Sequence, residues 1–401
     1  MSLNLQTNSN EGPTAITVDV IVPMHNSEHT IIPAIESVYD QINPYHTKFQ
    51  LDVAICVYDD CSTDNSFQVL NEFKLRRSSQ KTTRSIGIDI CLLFDRNIQQ
   101  SMGAGFARNR AAELREKFSK ECKGKGGEYL CLLDSDDLMR PTRIAEQINC
   151  FYDMDSGNRL TTLMGCQFER IPVDSTWHYT AWANGLSDER LVLEQYRELT
   201  LIQPTWMLTR ERFMLLGGYV EAPLKDVAYR KLPSTSFDEK SLTYEFSKPK
   251  IKSKRSAELE SIVDDSSEQE IESIREIATK HRLCDYSLIR VDESPRSLRI
   301  AEDLRLFHAH MIKNGRLHLC RSKTPLMIYR HREGMSQSSN TPRQLLLKLR
   351  AKAIEDRLLH TSVFREGFAV SNSLNVNFQF LFNQNRFVFR FGVQDVMEKR
   401  F

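Results

Sequence analysis

Apolar segments alternate with helical patterns through the first part of this chain, and this alternation constrains the fold most. Segments that read as strands are residues 18–23, 51–58, 88–94 and 129–133. Each is followed by apolar residues at helical spacing, such as Ile31, Ile35 and Val38 after the first. This order predicts βαβ units and a mostly parallel sheet. Because the strands are apolar almost throughout, we expect helices on both faces, which makes the fold class α/β.

The composition suits a protein with a substantial core. Hydrophobic residues make up 40% of the 401 residues, and the formal net charge of +1 gives no reason to expect nucleic acid as a partner. The N-terminus lacks the apolar segment of a signal peptide, and no run reaches the ~18 apolar residues of a membrane helix, so we expect no membrane span. The nine cysteines are scattered, without a C-x-x-C pair, which favours reduced thiols and a cytoplasmic location.

Polar residues cluster where the predicted strands end. The clusters are residues 23–27, 59–64 and 134–137. The carboxyl ends of parallel strands meet at one edge of a sheet, and ligands of such folds bind beyond that edge. We therefore expect these clusters to form one rim, although they are far apart in the sequence.

The acidic run of residues 134–137 is the strongest candidate for chemistry. Asp134, Asp136 and Asp137 directly follow an apolar strand. Carboxylates this close together raise one another's pKa values unless a cation offsets them. Oxygen ligands on a strand-end loop suit Mg²⁺ or Mn²⁺, which would also hold a diphosphate. The alternative is a surface turn or helix start that contains several aspartates.

Asp59 and Asp60 end another predicted strand. A carboxylate in this place can accept a hydrogen bond from the N3–H of a uracil ring. The alternative role is helix capping, for which residues 62–64 are well suited. We expect both: residues 62–64 cap the next helix, and Asp60 faces the ligand.

Gly103 and Gly105 precede a predicted helix that carries Arg108. Glycines permit close backbone approach, and a helix N-terminus favours anionic groups. Arg108 would then either neutralise a diphosphate or pair with the aspartates. An ordinary loop-to-helix junction would show the same pattern.

Glu302 and Asp303 open a helix later in the chain. Acidic residues in a first helical turn are common for dipole reasons alone. The functional interpretation is a general base, the carboxylate that takes the proton from an attacking hydroxyl.

Three ring side chains are weaker candidates. Trp206 either stacks on a sugar ring or belongs to the core. His331 is either a third metal ligand, a phosphate contact or structural. His25 lies where an aromatic ring would lie against a base.

Together these motifs resemble the family-two inverting glycosyltransferases, which have the Rossmann-like GT-A fold. The likeness extends from about Val18 to Ser338, apart from a charged insertion. The segments that carry it, in order, are VIVPMHN, VYDDCSTDNS, GAGFARNRAAE, DSDD, GGYVEA, AEDLRLFHAH and YRHREGMSQS.

The resemblance implies a UDP-sugar donor, a divalent cation and inversion at the anomeric carbon. In this chain Pro23, His25 and Asn26 would form the nucleotide loop, and Asp59 and Asp60 the uracil- and ribose-binding turn. Two residues depart from the family pattern: His25 replaces a Tyr or Phe, and Cys61 replaces a Gly.

The resemblance also assigns the cation and the base. Asp134 would contact the ribose or bridge to the cation, Asp136 would hold the cation, and Asp137 would lie beside them. Asp303 would be the base, with Glu302 next to it.

A charged, aromatic-poor stretch interrupts the pattern and indicates a flexible insertion. We predict a disordered lead (1–16), the nucleotide-sugar-binding half of the GT-A domain (17–219), the insertion (220–296), the acceptor and base half (297–340), and a C-terminal appendage with a basic amphipathic helix (341–401).

We therefore expect a glycosyltransferase that moves N-acetylglucosamine or a hexose from a UDP-sugar to a hydroxyl of a glycan, protein or small-molecule acceptor. One alternative is a UDP-sugar-binding sensor or scaffold with little catalysis. Another is a nucleotidyltransferase of the same fold, but residues 24–27 lack the Gly-rich, Arg- and Lys-bearing loop of those enzymes.

Overall fold

The computed structural model of the chain describes residues 12–79, 86–120, 126–173, 175–195, 198–221, 302–330, 377–383 and 386–392. The strands are β1 (Thr14–Met24), β2 (Phe49–Asp60), β3 (Ile88–Asn97), β4 (Tyr129–Leu132), β5 (Leu138–Met139), β6 (Thr162–Cys166), β7 (Phe168–Ile171), β8 (Met207–Thr209), β9 (Arg316–Cys320), β10 (Met327–Arg330), β11 (Asn377–Asn383) and β12 (Arg386–Gly392). The helices are α1 (Ile31–Tyr39), α2 (Ser66–Ser79), α3 (Ala104–Lys117), α4 (Arg143–Tyr152), α5 (Ser156–Thr161), α6 (Trp177–Asn184), α7 (Asp188–Leu193), α8 (Arg210–Leu216) and α9 (Glu302–Ile312).

A seven-stranded sheet forms the centre, in the order β3-β2-β1-β4-β8-β6-β9. β1 pairs in parallel with β2 and β4, β2 with β3, and β6 with β9, whereas β8 is antiparallel to both of its neighbours. The predicted α/β fold with a mostly parallel sheet between helices is confirmed. β1 begins at Thr14, inside the predicted disordered lead, and pairs there with Phe49.

A smaller sheet has the order β5-β10-β7. β5 directly follows the acidic run, and Leu138 pairs with Ile328 of β10. β10 runs parallel to β7 on its other side. The chain that leads out of the acidic run is therefore part of a sheet.

Apolar side chains cover both faces of the central sheet, as its apolar strands predict. On one face Val20 and Val22 pack with residues of α1, α2 and α4. On the other, Ile21 packs with residues of α3, α8 and α9. The apolar positions at helical spacing in α1 and α4 are buried. Full burial of one Val or Ile side chain contributes about 1.5–3 kcal/mol, so these two layers stabilise the fold.

Asp19 brings a buried negative charge into β1, and two arginines neutralise it. Arg115 Nε donates to Oδ1 of Asp19 at 2.5 Å, and both side chains are fully buried. Arg210 Nη2 and the Gly127 N–H donate to Oδ2, at 2.5 and 2.8 Å. A β-carbon at residue 127 would lie 2.6 Å from this carboxylate, so only glycine permits the approach. The cluster joins β1 to α3 and α8.

The structure describes the first two residues of the predicted insertion, 220 and 221. Val220 and Glu221 are buried, and Glu221 accepts a hydrogen bond from Asn109 of α3 at 2.7 Å. The rest of the predicted insertion lies outside the described residues, as does the amphipathic helix predicted over residues 341–362. The described part of the C-terminal appendage, which we expected to be helical, is the antiparallel pair of β11 and β12.

None of the helices in the described ranges is long and apolar enough to cross a membrane.

Replacing Asp19 with Asn should destabilise the protein by about 3–5 kcal/mol, because it leaves two arginines without their buried counter-charge. Urea unfolding followed by circular dichroism measures the free energy of unfolding. The control is Asp52→Asn, which removes a carboxylate that is 41% exposed and 3.2 Å from Arg115. A cost as small for Asp19→Asn as for this control would contradict the role given to the cluster.

Replacing Cys61 with Gly should stabilise the protein by about 0.5–1 kcal/mol. Cys61 has a φ of 63°, in the left-handed region that side chains with a β-carbon disfavour. Cys61→Ala keeps the β-carbon and is the matched control. Thermal unfolding compares them, and equal midpoints for the Gly and Ala variants would show that the turn is not strained.

Candidate active site

The carboxyl ends of β1, β2, β3 and β4 meet at one edge of the central sheet. Met24 at the end of β1 pairs with Asp59 near the end of β2. The polar clusters predicted to share this rim are in contact, since the hydroxyls of Ser27 and Ser135 lie 2.8 Å apart. The expectation that residues distant in sequence converge here is confirmed.

The end of β1 is buried, and the loop after it carries two exposed side chains. Pro23 is buried, whereas His25 and Asn26 are exposed. Asn26 has a φ of 50°, and its Oδ1 accepts the N–H of Thr63 at 2.8 Å. His25 Nδ1 lies 2.8 Å from the carbonyl oxygen of Asp60. Two polar side chains are thus presented to solvent at the rim by a fixed backbone.

Asp59 lies inside the turn after β2. Its side chain is fully buried, and Oδ1 accepts the backbone N–H of Ser62 at 3.0 Å, while Oδ2 lies 3.5 Å from Arg96 Nε. At the start of α2, Asp64 Oδ1 accepts the N–H of Ser66 at 3.0 Å, which confirms the predicted capping. Asp59 therefore stabilises the turn after β2.

Asp60 points to the opposite face of the sheet, because successive residues of a strand alternate. It is 3% exposed. Its carboxylate accepts the N–H groups of Met102 at 2.8 Å and Gly103 at 2.6 Å, and the hydroxyl of Ser101 at 2.8 Å. Asp60 thus anchors the loop that opens α3.

Arg108 of α3 joins the acidic run to the acidic pair, which is Glu302 and Asp303 at the start of α9. Nη2 donates to Asp134 Oδ1 at 2.7 Å, and Nη1 donates to Glu302 Oε1 at 2.8 Å. The side chain is only 4% exposed. Burial opposes its charge, but Asp134 and Glu302 raise the pKa of Arg108 overall. Of the two roles predicted for Arg108, pairing with the carboxylates is the one observed.

The three aspartates of the acidic run differ in exposure. Asp134 and Asp136 are partly exposed, whereas Asp137 is 1% exposed. Asp137 Oδ1 accepts the N–H of Arg330 at 2.8 Å, and Oδ2 is buried without a hydrogen-bond partner among the described residues. Burial, then repulsion by Asp134 and Asp136, raise the pKa of Asp137 well above its usual range. The protonated form of Asp137 is therefore favoured while its two neighbours carry charge.

Arg330 is a site residue that the sequence did not identify. Besides its N–H bond to Asp137, its guanidinium donates to the carbonyl oxygen of Asp136. The sequence predicted the neighbouring His331 as a candidate metal ligand or phosphate contact instead, and His331 lies outside the described residues. β10 therefore clamps the acidic run from the side.

The donor set fits a hard divalent cation bound together with a diphosphate. The described residues contain no group of three or more His, Cys, Asp or Glu side chains placed to hold a metal ion. Mg²⁺ commonly takes only one or two protein carboxylates and completes its shell with phosphate oxygens and water. Asp134 and Asp136 provide two such carboxylates, and a cation beside them would offset the repulsion that they exert on the buried Asp137.

Glu302 and Asp303 open α9. Asp303 is partly buried, and its Oδ1 accepts the N–H of Leu304 at 2.8 Å. Burial, then the neighbouring Glu302 carboxylate, raise the pKa of Asp303 to about 7, although Arg108 opposes the shift. A carboxylate that titrates near neutrality is suited to general base catalysis.

Asn109 and Glu221 are further residues that the sequence did not identify as a pair. Asn109 accepts the N–H of Tyr219 and donates to its carbonyl oxygen, both at 2.8 Å. Arg110 donates to both oxygens of Glu221 at 2.8 Å, and burial raises the pKa of Glu221 to about 7. A β-carbon at Gly105 would lie 3.1 Å from that of Tyr219, so this glycine serves helix packing.

Trp206 belongs to the core. It is fully buried, its Nε1 donates to the carbonyl oxygen of Leu201 at 2.9 Å, and its ring lies 6.3 Å from that of Phe307. Of the two interpretations of Trp206, the structure supports the core residue.

Comparison with known proteins finds a family match over the part of the chain that carries β1 to β4 and the acidic run, whereas Glu302, Asp303 and Arg330 lie outside it. Residues 19–214 match the model of the family described as Glycosyl transferase family 2. The chain is 25% identical over 155 residues to the poly(ribitol-phosphate) beta-glucosyltransferase of Bacillus spizizenii, across 39% of this chain and 20% of that protein. It is 30% identical over 132 residues to the UDP-Glc:alpha-D-GlcNAc-diphosphoundecaprenol beta-1,3-glucosyltransferase WfaP of Escherichia coli, across 33% of this chain and 40% of that protein.

The matched region thus spans less than half the length of either relative. Among solved structures, S. aureus TarS 1-349 in complex with UDP-GlcNAc aligns over 96% of this chain and 99% of that chain, with 17% identity and a TM-score of 0.31. The family match and the two sequence relatives support a region similar to family 2 glycosyltransferases in residues 19–214.

Proposed function

We propose that this protein transfers a sugar from a UDP-sugar to an acceptor hydroxyl, with inversion at the anomeric carbon and the help of a divalent cation. The observation that carries the proposal is the position of Arg108, which holds the acidic run next to the acidic pair. The carboxylates that would face the diphosphate and the carboxylate that would take the proton are therefore neighbours. The family match and the glucosyltransferase names of the two relatives support the same class of reaction.

The transferred sugar is N-acetylglucosamine or a hexose, and the acceptor is a glycan, a protein or a small molecule. The sequence resembles the animal beta-1,3-N-acetylglucosaminyltransferase-like protein, which favours the first sugar, whereas the two relatives favour glucose. We also propose a cytoplasmic location, since the cysteines in the described part of the chain are all reduced.

The nucleoside would lie against the loop after β1. The exposed ring of His25 takes the place of the family's Tyr or Phe against the base, with Asn26 beside it and Pro23 shaping the backbone. The carboxylate of Asp60 retains lone-pair capacity for the N3–H of uracil, because a carboxylate has about four acceptor sites. Asp59 acts indirectly, by holding the turn in which Asp60 lies.

Asp136 and Asp134 would hold the cation, Mn²⁺ or Mg²⁺, with Asp137 beside them and His331 as a further candidate ligand. The bound cation supplies neutralisation of the charge that develops on the departing UDP. Asp134 would also contact the ribose, and its hydrogen bond from Arg108 at 2.7 Å fixes its orientation.

Asp303 would act as the base. Its carboxylate takes the proton from the acceptor hydroxyl as that oxygen bonds to the anomeric carbon from the side opposite the phosphate. The bond from the anomeric carbon to the phosphate oxygen breaks, and UDP leaves with the bonding electrons. Glu302 is the second candidate for this role, but its carboxylate is already engaged with Arg108 at 2.8 Å.

Replacing Asp136 with Asn should weaken Mn²⁺-dependent UDP binding by at least roughly 10–100-fold. Loss of an outer-shell partner alone costs a metal site that much affinity, and Asp136 is proposed as a direct ligand. Isothermal titration with and without Mn²⁺ measures the affinity. Asp40→Asn, at an exposed position after α1, is the control and should leave the affinity unchanged. Unchanged UDP–Mn²⁺ affinity in the Asp136 variant would show that the cation site is assigned wrongly.

Replacing Asp303 with Asn should leave UDP binding intact and lower turnover by roughly 10²–10⁴-fold, the usual contribution of a general base. Turnover is measured as transfer to an acceptor or as hydrolysis of the UDP-sugar, screened over several UDP-sugars. If the unsubstituted protein binds UDP but hydrolyses none of them, the sensor or scaffold alternative is favoured.

The pH profile separates the two candidate bases. Since burial raises the pKa of Asp303 to about 7, the deprotonated fraction, and with it kcat/KM, should rise between pH 6 and pH 8. Glu302→Gln removes a repelling charge and should shift the midpoint to lower pH, while Arg108→Gln removes an attracting charge and should shift it upward. Complete loss of turnover in Glu302→Gln, with UDP still bound, would instead identify Glu302 as the base.

A further inference from the structure

Two cysteines far apart in the sequence meet away from the proposed transfer site. Cys150 lies on α4, and Cys320 ends β9, the last strand in the order of the central sheet. Their sulfur atoms lie 3.6 Å apart. Cys320 is 1% exposed, whereas Cys150 is partly exposed. One of the two cysteines is therefore partly exposed to solvent, and the second is buried next to it.

A histidine and an aspartate complete the cluster. His318 precedes Cys320 by two residues, so both side chains emerge on the same face of β9. His318 Nδ1 lies 2.6 Å from Asp188 Oδ2 at the start of α7, and Arg321 Nη1 lies 3.3 Å from Oδ1 of the same carboxylate. Asp188 thereby orients the imidazole, which interacts electrostatically with Cys150.

The surroundings favour the thiolate form of Cys150. Its hydrogen bond with Cys320, and then that with His318, outweigh burial and lower the pKa of Cys150 to about 5. The contact with Cys150, then that with Asp188, raise the pKa of His318, so the imidazolium is favoured beside the thiolate. The thiolate is the nucleophilic form of cysteine, and reactive cysteines are found in electropositive, partly exposed places of this kind.

We propose that Cys150 is a nucleophilic thiol that hydroperoxides oxidise, and that Cys320 resolves the product, so that the two cysteines form a reversible disulfide. The Cys150 thiolate attacks one oxygen of the peroxide, the O–O bond breaks, and an S–O bond forms. His318 gives a proton to the departing oxygen, which leaves as water or an alcohol.

The sulfur of Cys320 then attacks the sulfenic acid, and the S–O bond breaks as the S–S bond forms. The hydroxide leaves with the proton of Cys320 as water, so two thiols are oxidised and one peroxide is reduced.

The geometry permits this step and disfavours a metal site. A disulfide needs the two sulfurs to approach by roughly 1.5 Å, to the usual S–S length. Cys150, Cys320, His318 and Asp188 look like a ligand set, yet the described residues contain no group of three such side chains placed to hold a metal ion. The inference is independent of the proposed sugar transfer, because it uses none of the residues of the strand-end rim.

The test maps the thiols of the unsubstituted 401-residue chain. The reduced protein is treated with hydrogen peroxide in slight excess, blocked with N-ethylmaleimide, digested and analysed by mass spectrometry. A disulfide-linked pair of peptides containing Cys150 and Cys320 should form, and dithiothreitol should reverse it. Cys91, which is also partly buried, is the internal control and should stay alkylated at the same dose. Absence of the 150–320 link, or oxidation of Cys91 as fast as Cys150, would overturn the proposal.

Variants assign the roles. In Cys320→Ser the sulfenic acid of Cys150 should persist and react with dimedone, whereas Cys91→Ser should form the 150–320 link as the unsubstituted protein does. The effect of His318 on the Cys150 thiolate is tested by the pH dependence of Cys150 alkylation by iodoacetamide. His318→Asn should move the midpoint upward, toward the ordinary thiol value near 8.5, and slow alkylation at pH 6 by roughly tenfold. An unchanged midpoint would refute the role of His318.

Discussion

The proposed site depends on one buried guanidinium. Arg108 is charged at any pH the protein meets, and it lies between Asp134 and Glu302, which are 26 and 194 residues away in the sequence. A buried cation of this kind requires both partners, since losing one leaves an uncompensated charge. The ion pairs therefore fix the start of α9 against the acidic run. No other contact described around the rim joins the two carboxylate clusters so directly.

The strands, their common edge and the buried faces of the helices can be predicted from the sequence, for physical reasons. Strands covered on both faces must be apolar throughout, so β1, β2, β3 and β4 stand out as continuous apolar segments. Parallel pairing then brings their carboxyl ends to one edge, which predicts that residues 23–27 and 134–137 share a rim. The contact of the Ser27 and Ser135 hydroxyls shows this convergence. The helical spacing of apolar residues in α1 and α4 predicts which face is buried.

The remaining features depend on contacts that spacing does not encode. Asp59 and Asp60 are the same residue type side by side, and only the pleat of β2 decides that one holds the turn and the other holds the loop before α3. Arg330 reaches the acidic run because β10 pairs beside β5, and the sequence offers no periodic signal for that pairing. The approach of Cys150 to Cys320 likewise follows from α4 packing near β9, across 170 residues of chain.

The acidic run is built into a sheet, and this has a consequence for recognition. β5 continues it, β10 pairs with β5, and Arg330 bonds both to the backbone at Asp136 and to the carboxylate of Asp137. A loop restrained on this side samples few conformations before a ligand arrives, so little conformational entropy is lost on binding. Preorganisation of that kind favours ligands whose charge and shape match the existing spacing of the oxygens. The selectivity of the site for its ligand would then come from the rigidity of the acidic run, because the positions of the carboxylate oxygens are fixed before binding.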